Sequence, residues 1–394
     1  MYYFMNKDTI LAEFDIQGSG ELESCIITKV YNELPPWIDN LQTWLTNRNA
    51  AKHRLFVKKL LEDLQSDTLS GFIRLTHCLS LTDTLWVKSD NENVLWDGVS
   101  LYRNKFNYVL SRLSFDGNGL YGLNVPTTSP ELTTDGSFDK CWINEDEDIC
   151  LVKAGSSGAS NLGREPYSEV IASPIFEELC GGIKYVLDRY HGRVVSKCKL
   201  FTTEDIGYKP YCEIFPRGGD LVTIMDEYAK YGSDDIFRRM ILADCVTINR
   251  DRHFANFGFF VDNNTFDILG INSPFDYNLA MFPDADWYEG FTDMSLWQEK
   301  RKPVLGKSYK SVAESLLNNT LRSELKNLKD LVLTIECDSK FDSERLEIVN
   351  RFKNIQIDNL LGISRQFYFE DIRDRHRDNK TTINDILKRA EGNK

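Results

Sequence analysis

The sequence predicts an α+β protein built as two bodies, β-rich in its first half and mostly helical in its second. Three observations carry this. The chain has 394 residues, more than one hydrophobic core ordinarily organises. Apolar and polar residues alternate with period two near the N-terminus and again around residues 140–153, the mark of strands. Beyond residue 216 the apolar spacing turns mostly helical.

Taken in order, residues 1–35 alternate through Ile10, Ala12, Phe14 and Ile16 and again through 25–31, predicting a short antiparallel sheet. Pro35 and Pro36 break it. Residues 37–65 read as helix, with Leu55, Phe56, Lys59, Leu60 and Leu64 near 3.6 spacing, and 84–87 read as strand-like. Residues 1–110 form an accessory unit without recognisable chemistry. Lys140 to Ile143, an acidic turn at 144–148, and Ile149 to Lys153 predict a hairpin. A Gly/Ser loop at 155–158 leads into a helix over about 166–179, with Pro166 in the first turn. Strands are expected across 186–215 and an apolar helix over 235–248. Segments 257–261 and 266–269 flank Asp262-Asn263-Asn264-Thr265, a turn signal, and predict a second hairpin. Several amphipathic helices are expected in 308–394.

Composition narrows the function. A hydrophobic content of 42% and a charged content of 27% are those of a globular chain. A formal net charge of −13 is the wrong sign for a nucleic-acid footprint and disfavours docking on anionic membranes, so neither partner is expected. No apolar run approaches the roughly 18 residues of a membrane span. The first eight residues lack a basic-then-apolar signal pattern. Nine cysteines form no CxxC pair and read as reduced thiols of a cytoplasmic protein, while five scattered histidines give no zinc pattern.

The strongest chemical signal is the stretch from Asn249 to Gly258. An apolar helix runs into a polar loop holding Asp251, Asn256 follows five residues on, and an apolar strand resumes at once. The spacing lets one carboxylate face a hydroxyl while an amide oxygen reaches a metal, the arrangement of kinase catalytic loops. The same letters recur at Asp374-Arg375-His376 with Asn379, in a charged stretch with no strand behind it, and are read there as solvated surface. Asp276 follows the second hairpin and can return beside Asn256 as a magnesium ligand. Lys153 ends a strand, and Glu169 on the next helix completes the Lys–Glu pair that holds phosphates in kinases; Glu165 precedes that helix and is set aside. Two stretches compete as the phosphate-covering loop. Gly117 to Gly122 is a literal GxGxxG without a following helix, and is read as a turn cluster. Thr133, Gly136 and Ser137 lead directly into the Lys153 hairpin and are preferred, because glycine lets backbone N–H groups approach phosphates closely.

Together these residues resemble the HipA family of bacterial serine/threonine kinases over roughly 125–285. The resemblance implies a bilobed protein-kinase-like fold, with the kinase N-lobe at 111–215 and a helical C-lobe at 216–394, and the use of ATP and Mg2+. It implies Asp251 as catalytic base, Asn256 and Asp276 as metal ligands, and Lys153 on the phosphates. It places 212–215, with Glu213 and Phe215, at the adenine hinge, and a self-phosphorylation site near Thr133. A protein substrate, a toxin role and an antitoxin partner are further expectations of the resemblance. Arg252 departs from the small residue usual after the catalytic aspartate in HipA, and the string Asp251-Arg252-His253 is closer to phosphoinositide lipid kinases. A lipid kinase and a non-catalytic module of the same fold are the alternatives.

Overall fold

The structure is a computed structural model that describes residues 1–18, 23–48, 68–106, 115, 130, 139–145, 148–156, 163–285 and 301–362. Thr133, Gly136, Ser137, the 117–122 glycines, the repeat at 374–379 and most of the helix expected over 37–65 lie outside the described residues.

The N-terminal unit is an antiparallel sheet of β1 (Tyr2–Asn6), β2 (Thr9–Gln17), β3 (Ser24–Val30) and β4 (Leu85–Ser89), in the order β3-β2-β1-β4. The alternation in the sequence shows directly in how the sheet divides its faces. Phe4, Phe14 and Val87 point to one face, against Trp44 of α1 (Leu41–Arg48) and Phe72 of α2 (Leu69–Thr76). Met5 and Trp86 point to the other, with Trp96 of the single turn α3 (Trp96–Val99), and there Trp142, Ile149 and Leu200 pack against them.

A second antiparallel sheet has the order β5-β6-β8-β7, from β5 (Lys140–Glu145), β6 (Asp148–Ala154), β7 (Val186–Tyr190) and β8 (Arg193–Lys199). The expected hairpin is β5–β6, in the register Lys140 opposite Lys153. Helix α4 (Glu165–Cys180) covers this sheet and joins the main core through Tyr167, Ile171, Ile175 and Phe176. It begins with Pro166 in its first turn and ends at Gly181, whose φ of +66° is the left-handed cap glycine favours.

A third sheet, β11-β10-β9, holds β9 (Ile206–Pro210), β10 (Gly258–Asp262) and β11 (Ile268–Ile271). Two expectations are corrected here. The segment 186–215 is not strand throughout: residues 211–214 form a helical turn, α5 (Tyr211–Ile214), because the Tyr211 and Cys212 N–H groups donate to Phe257 and Phe254 carbonyls rather than to a ladder. Residues 206–210 belong to this third sheet. β9 pairs with β10, so the chain crosses between the two sheets over 200–205. In the second hairpin, β11 starts at Ile268 rather than 266, since Phe266 turns the chain with φ +64°.

Helices α6 (Leu221–Ala229), α7 (Asp234–Thr247), α8 (Tyr309–Leu316), α9 (Asn319–Asn327) and α10 (Ser343–Leu360) pack with α4 around the largest core. Asp234 and Asp235 open α7 where carboxylates favour the helix N-terminus. Its far end is buried and apolar, and it stops at Ile248, φ +50°, a β-branched residue in a conformation it rarely takes. That stop delivers the chain into the loop of Asp251. Among the described residues no helix is long and apolar enough to cross a membrane.

Candidate active site

Lys153 occupies the penultimate position of β6, opposite Ser196 of β8, and is buried. Its Nζ donates to Glu169 Oε1 at 2.6 Å and to Asp276 Oδ1 at 2.9 Å, bringing together residues 123 positions apart. Glu169, one turn into α4 and fully buried, also accepts from Ser196 Oγ at 2.6 Å and from the Tyr277 N–H at 3.3 Å. Glu165, the first residue of α4, is engaged by Ser156 instead. The Lys153 ammonium lies 5.2 Å from the centre of the Tyr185 ring.

The charges of this cluster depend on each other. Burial alone would depress the Lys153 ammonium, but Asp276 and Glu169 beside it raise it above the ordinary lysine value. Burial pushes the Asp276 carboxyl up, yet Lys153, by charge and hydrogen bond, brings it below the usual range. Glu169 remains raised, since its burial outweighs Lys153 and Asp276 adds repulsion. Asp276 sits at φ +61°, a left-handed conformation that aspartate tolerates better than most residues.

Asp251 lies half-buried in the loop after α7. The Asn249 side chain accepts from its N–H at 3.2 Å, and its carbonyl receives the His253 N–H and Asn256 Nδ2, both at 2.8 Å. Burial, and then the nearby Asp276 charge, raise the Asp251 carboxyl above its ordinary value. With Asn256 Nδ2 committed to the Asp251 carbonyl, its Oδ1 is the amide atom left to meet a cation. One carboxylate and one amide oxygen suit Mg2+, which keeps waters and binds substrate phosphates rather than filling an all-protein cage. Among the described residues no group of three or more His, Cys, Asp and Glu could hold a metal by itself.

The structure therefore brings Lys153, Glu169 and Asp276 into contact, with Asp251 close enough for Asp276 to perturb it and Asn256 bonded to the Asp251 carbonyl. Glu213 stands 3.6 Å from Lys209, and Phe215 packs on Tyr211 and Phe259. The segment that crosses between the sheets lies upstream, and its Phe201 stacks on Phe275, the neighbour of Asp276, at 5.3 Å.

Sequence reasoning missed the support beneath the loop. Arg252, 2% exposed, donates from Nε to Asp244 Oδ2 at 3.0 Å and from one terminal nitrogen to the carbonyls of Asn256 at 2.8 Å and Phe275 at 2.6 Å. Asp244, also buried, accepts from Asn249 Nδ2 at 2.8 Å. A signal was present: Asp244 is a charge inside the apolar run of α7, and a buried charge needs a partner.

An antiparallel sheet bearing Lys153 and a largely helical body bearing Asp251 and Asp276 make this a bilobed, kinase-like α+β fold. Among solved structures the chain is similar to HipA of the toxin–antitoxin system of Shewanella oneidensis MR-1, solved with HipB and its operator DNA, with a TM-score of 0.52 and 11% identity over 95% of this chain and 99% of that one. It is also similar to the Helicobacter pylori proinflammatory kinase CtkA, with a TM-score of 0.42 and 16% identity over 60% of this chain and 93% of that one. No protein-family model and no curated protein sequence matches this chain. The HipA-like resemblance read from the sequence is borne out at the level of the fold.

Proposed function

We propose that this chain is an ATP- and Mg2+-dependent serine/threonine protein kinase of HipA type. The observation that carries the proposal is the Lys153–Glu169–Asp276 contact, which closes one lobe's lysine onto the other lobe's acidic loop. Lys153, aligned by Glu169, holds nucleotide phosphates; Asp276 and the Asn256 amide oxygen hold the cation. Bound MgATP supplies the transferable phosphoryl group and the charge that neutralises its oxygens. Asp251 orients the attacking hydroxyl and accepts its proton, and its raised carboxyl makes it a better acceptor than an ordinary aspartate. Residues 212–215, with Glu213 and Phe215, retain their proposed place at the adenine hinge. Thr133, Gly136 and Ser137 retain their proposed place over the phosphates. A cytoplasmic setting, a protein substrate and an antitoxin-like protein partner belong to the same proposal, the last supported by the HipB-bound state of HipA.

Incubation of the chain with γ-labelled ATP, Mg2+ and cell lysate should label a protein on serine or threonine. Asp251→Asn should reduce labelling by roughly 10²–10⁴-fold. Nucleotide binding without protein labelling would defeat the proposal, and label appearing in phosphoinositide vesicles instead would install the lipid-kinase alternative.

A further inference from the structure

The guanidinium of Arg252 reaches three segments at once. Towards α7 it meets Asp244 through Nε at 3.0 Å and a terminal nitrogen at 3.1 Å. Its other terminal nitrogen donates both to the Asn256 carbonyl and to the Phe275 carbonyl, the peptide that precedes Asp276. Its carbon lies 5.6 Å and 5.9 Å from the ring centres of Phe176 and Tyr277. Asp244 reaches the same loop by a second route, through Asn249, whose Oδ1 accepts from the Asp251 N–H. Both loops contain or follow left-handed residues, Ile248 at φ +50° and Asp276 at φ +61°, which persist only where their surroundings enforce them.

We propose that Arg252 and Asp244 are positioning residues that set the separation of Asn256 and Asp276, and through it the affinity of the nucleotide complex for its divalent cation. This rests on the kinase reading of the site. Neither side chain needs to touch nucleotide, since both are buried and their bonds go to main chain, to Asn249 and to each other. A purely structural pair could be replaced by apolar residues of similar volume without loss, because removing both charges leaves no unpaired ion. A positioning pair could not, because the two carbonyls would lose the single donor that joins them. Lysine keeps a charge for Asp244 but lacks the planar fork that serves carboxylate and carbonyls together.

The test uses the full chain and reads thermal stabilisation by ADP, without metal and across a Mg2+ titration. The doubly substituted Arg252→Met/Asp244→Leu chain leaves no unpaired ion but deprives two carbonyls and Asn249 of partners, and should fold with a lowered melting temperature when unliganded. Its half-saturating Mg2+ should rise roughly 10–100-fold, as when the outer partners of metal ligands are removed, while metal-free ADP binding is unchanged. Arg252→Lys should lie between the two and keeps the test open if the double variant does not fold. An unchanged Mg2+ requirement in either folded variant overturns the positioning role alone. A wild type with no Mg2+-dependent nucleotide stabilisation overturns the kinase reading, and this inference with it.

Discussion

Asp83 gives the sharpest test of how the N-terminal unit is joined to the rest. It is 2% exposed and sits between two cations, Arg48, which grips both carboxylate oxygens, and Lys209 of β9 at 2.7 Å. Arg48 and Lys209 are themselves buried. Burial raises the Asp83 carboxyl, but Arg48 and then Lys209 overcome it and hold it at about 2. A folded value below the unfolded one means the stabilisation is fully present above about pH 4 and is lost as pH falls through about 2. At about 1.4 kcal/mol per unit, the difference from an ordinary aspartate amounts to about 2 kcal/mol, of which about 1 kcal/mol is gone by pH 3. Asp83→Asn removes the anion and leaves two buried cations facing each other, which should cost about 3–5 kcal/mol at neutral pH. Urea titration followed by tryptophan fluorescence reads this locally, since Trp44 lies 4.7 Å from the Arg48 guanidinium and Trp37 5.8 Å from the Lys209 ammonium. The difference between wild type and variant should shrink as pH drops from 5 to 3. Equal stabilities at pH 7, or a difference indifferent to pH, would refute the reasoning.

Two further outcomes follow from the geometry. Gly258→Ala would set a Cβ 2.0 Å from the Lys209 carbonyl oxygen and 2.8 Å from Pro210 Cα, so β9 and β10 must part; a loss of about 1–3 kcal/mol or more is expected in a denaturant melt. Lys153→Met should lower phosphoryl transfer by at least roughly 10²-fold in the labelling assay, the order expected when one stabilising donor is lost, while Glu169, already raised by burial, takes up a proton and the chain stays folded.

Much of the site was legible because its parts lie on regular local patterns. Lys153 ends an alternating strand, Glu169 follows Pro166 by less than a turn, and Asp276 comes directly after a hairpin with a clear turn. The turn at 211–214 was read as strand because the bonds that bend it, to the carbonyls of Phe254 and Phe257, come from far along the chain. Arg252 was noticed only as a departure from a pattern; its purpose depends on Asp244 and on a carbonyl 23 residues away. The N-terminal unit offered least, since its attachments are isolated polar residues without a period.

Those attachments have a practical consequence. Glu204, in the crossing segment, accepts from Trp96 Nε1 at 2.6 Å, Ser100 Oγ at 2.9 Å and Arg103. The Tyr208 N–H donates to the Thr82 carbonyl at 2.7 Å, and Asn6 Nδ2 to the Asn263 carbonyl at 2.7 Å. Trimming the chain back to the segment that begins at β5 would strip the lobe junction of these partners and bare Trp142, Ile149 and Leu200 to water. A chain trimmed to β5 onward is therefore expected to melt below the full chain, and swaps of N-terminal units between related chains should carry the 200–209 segment with them.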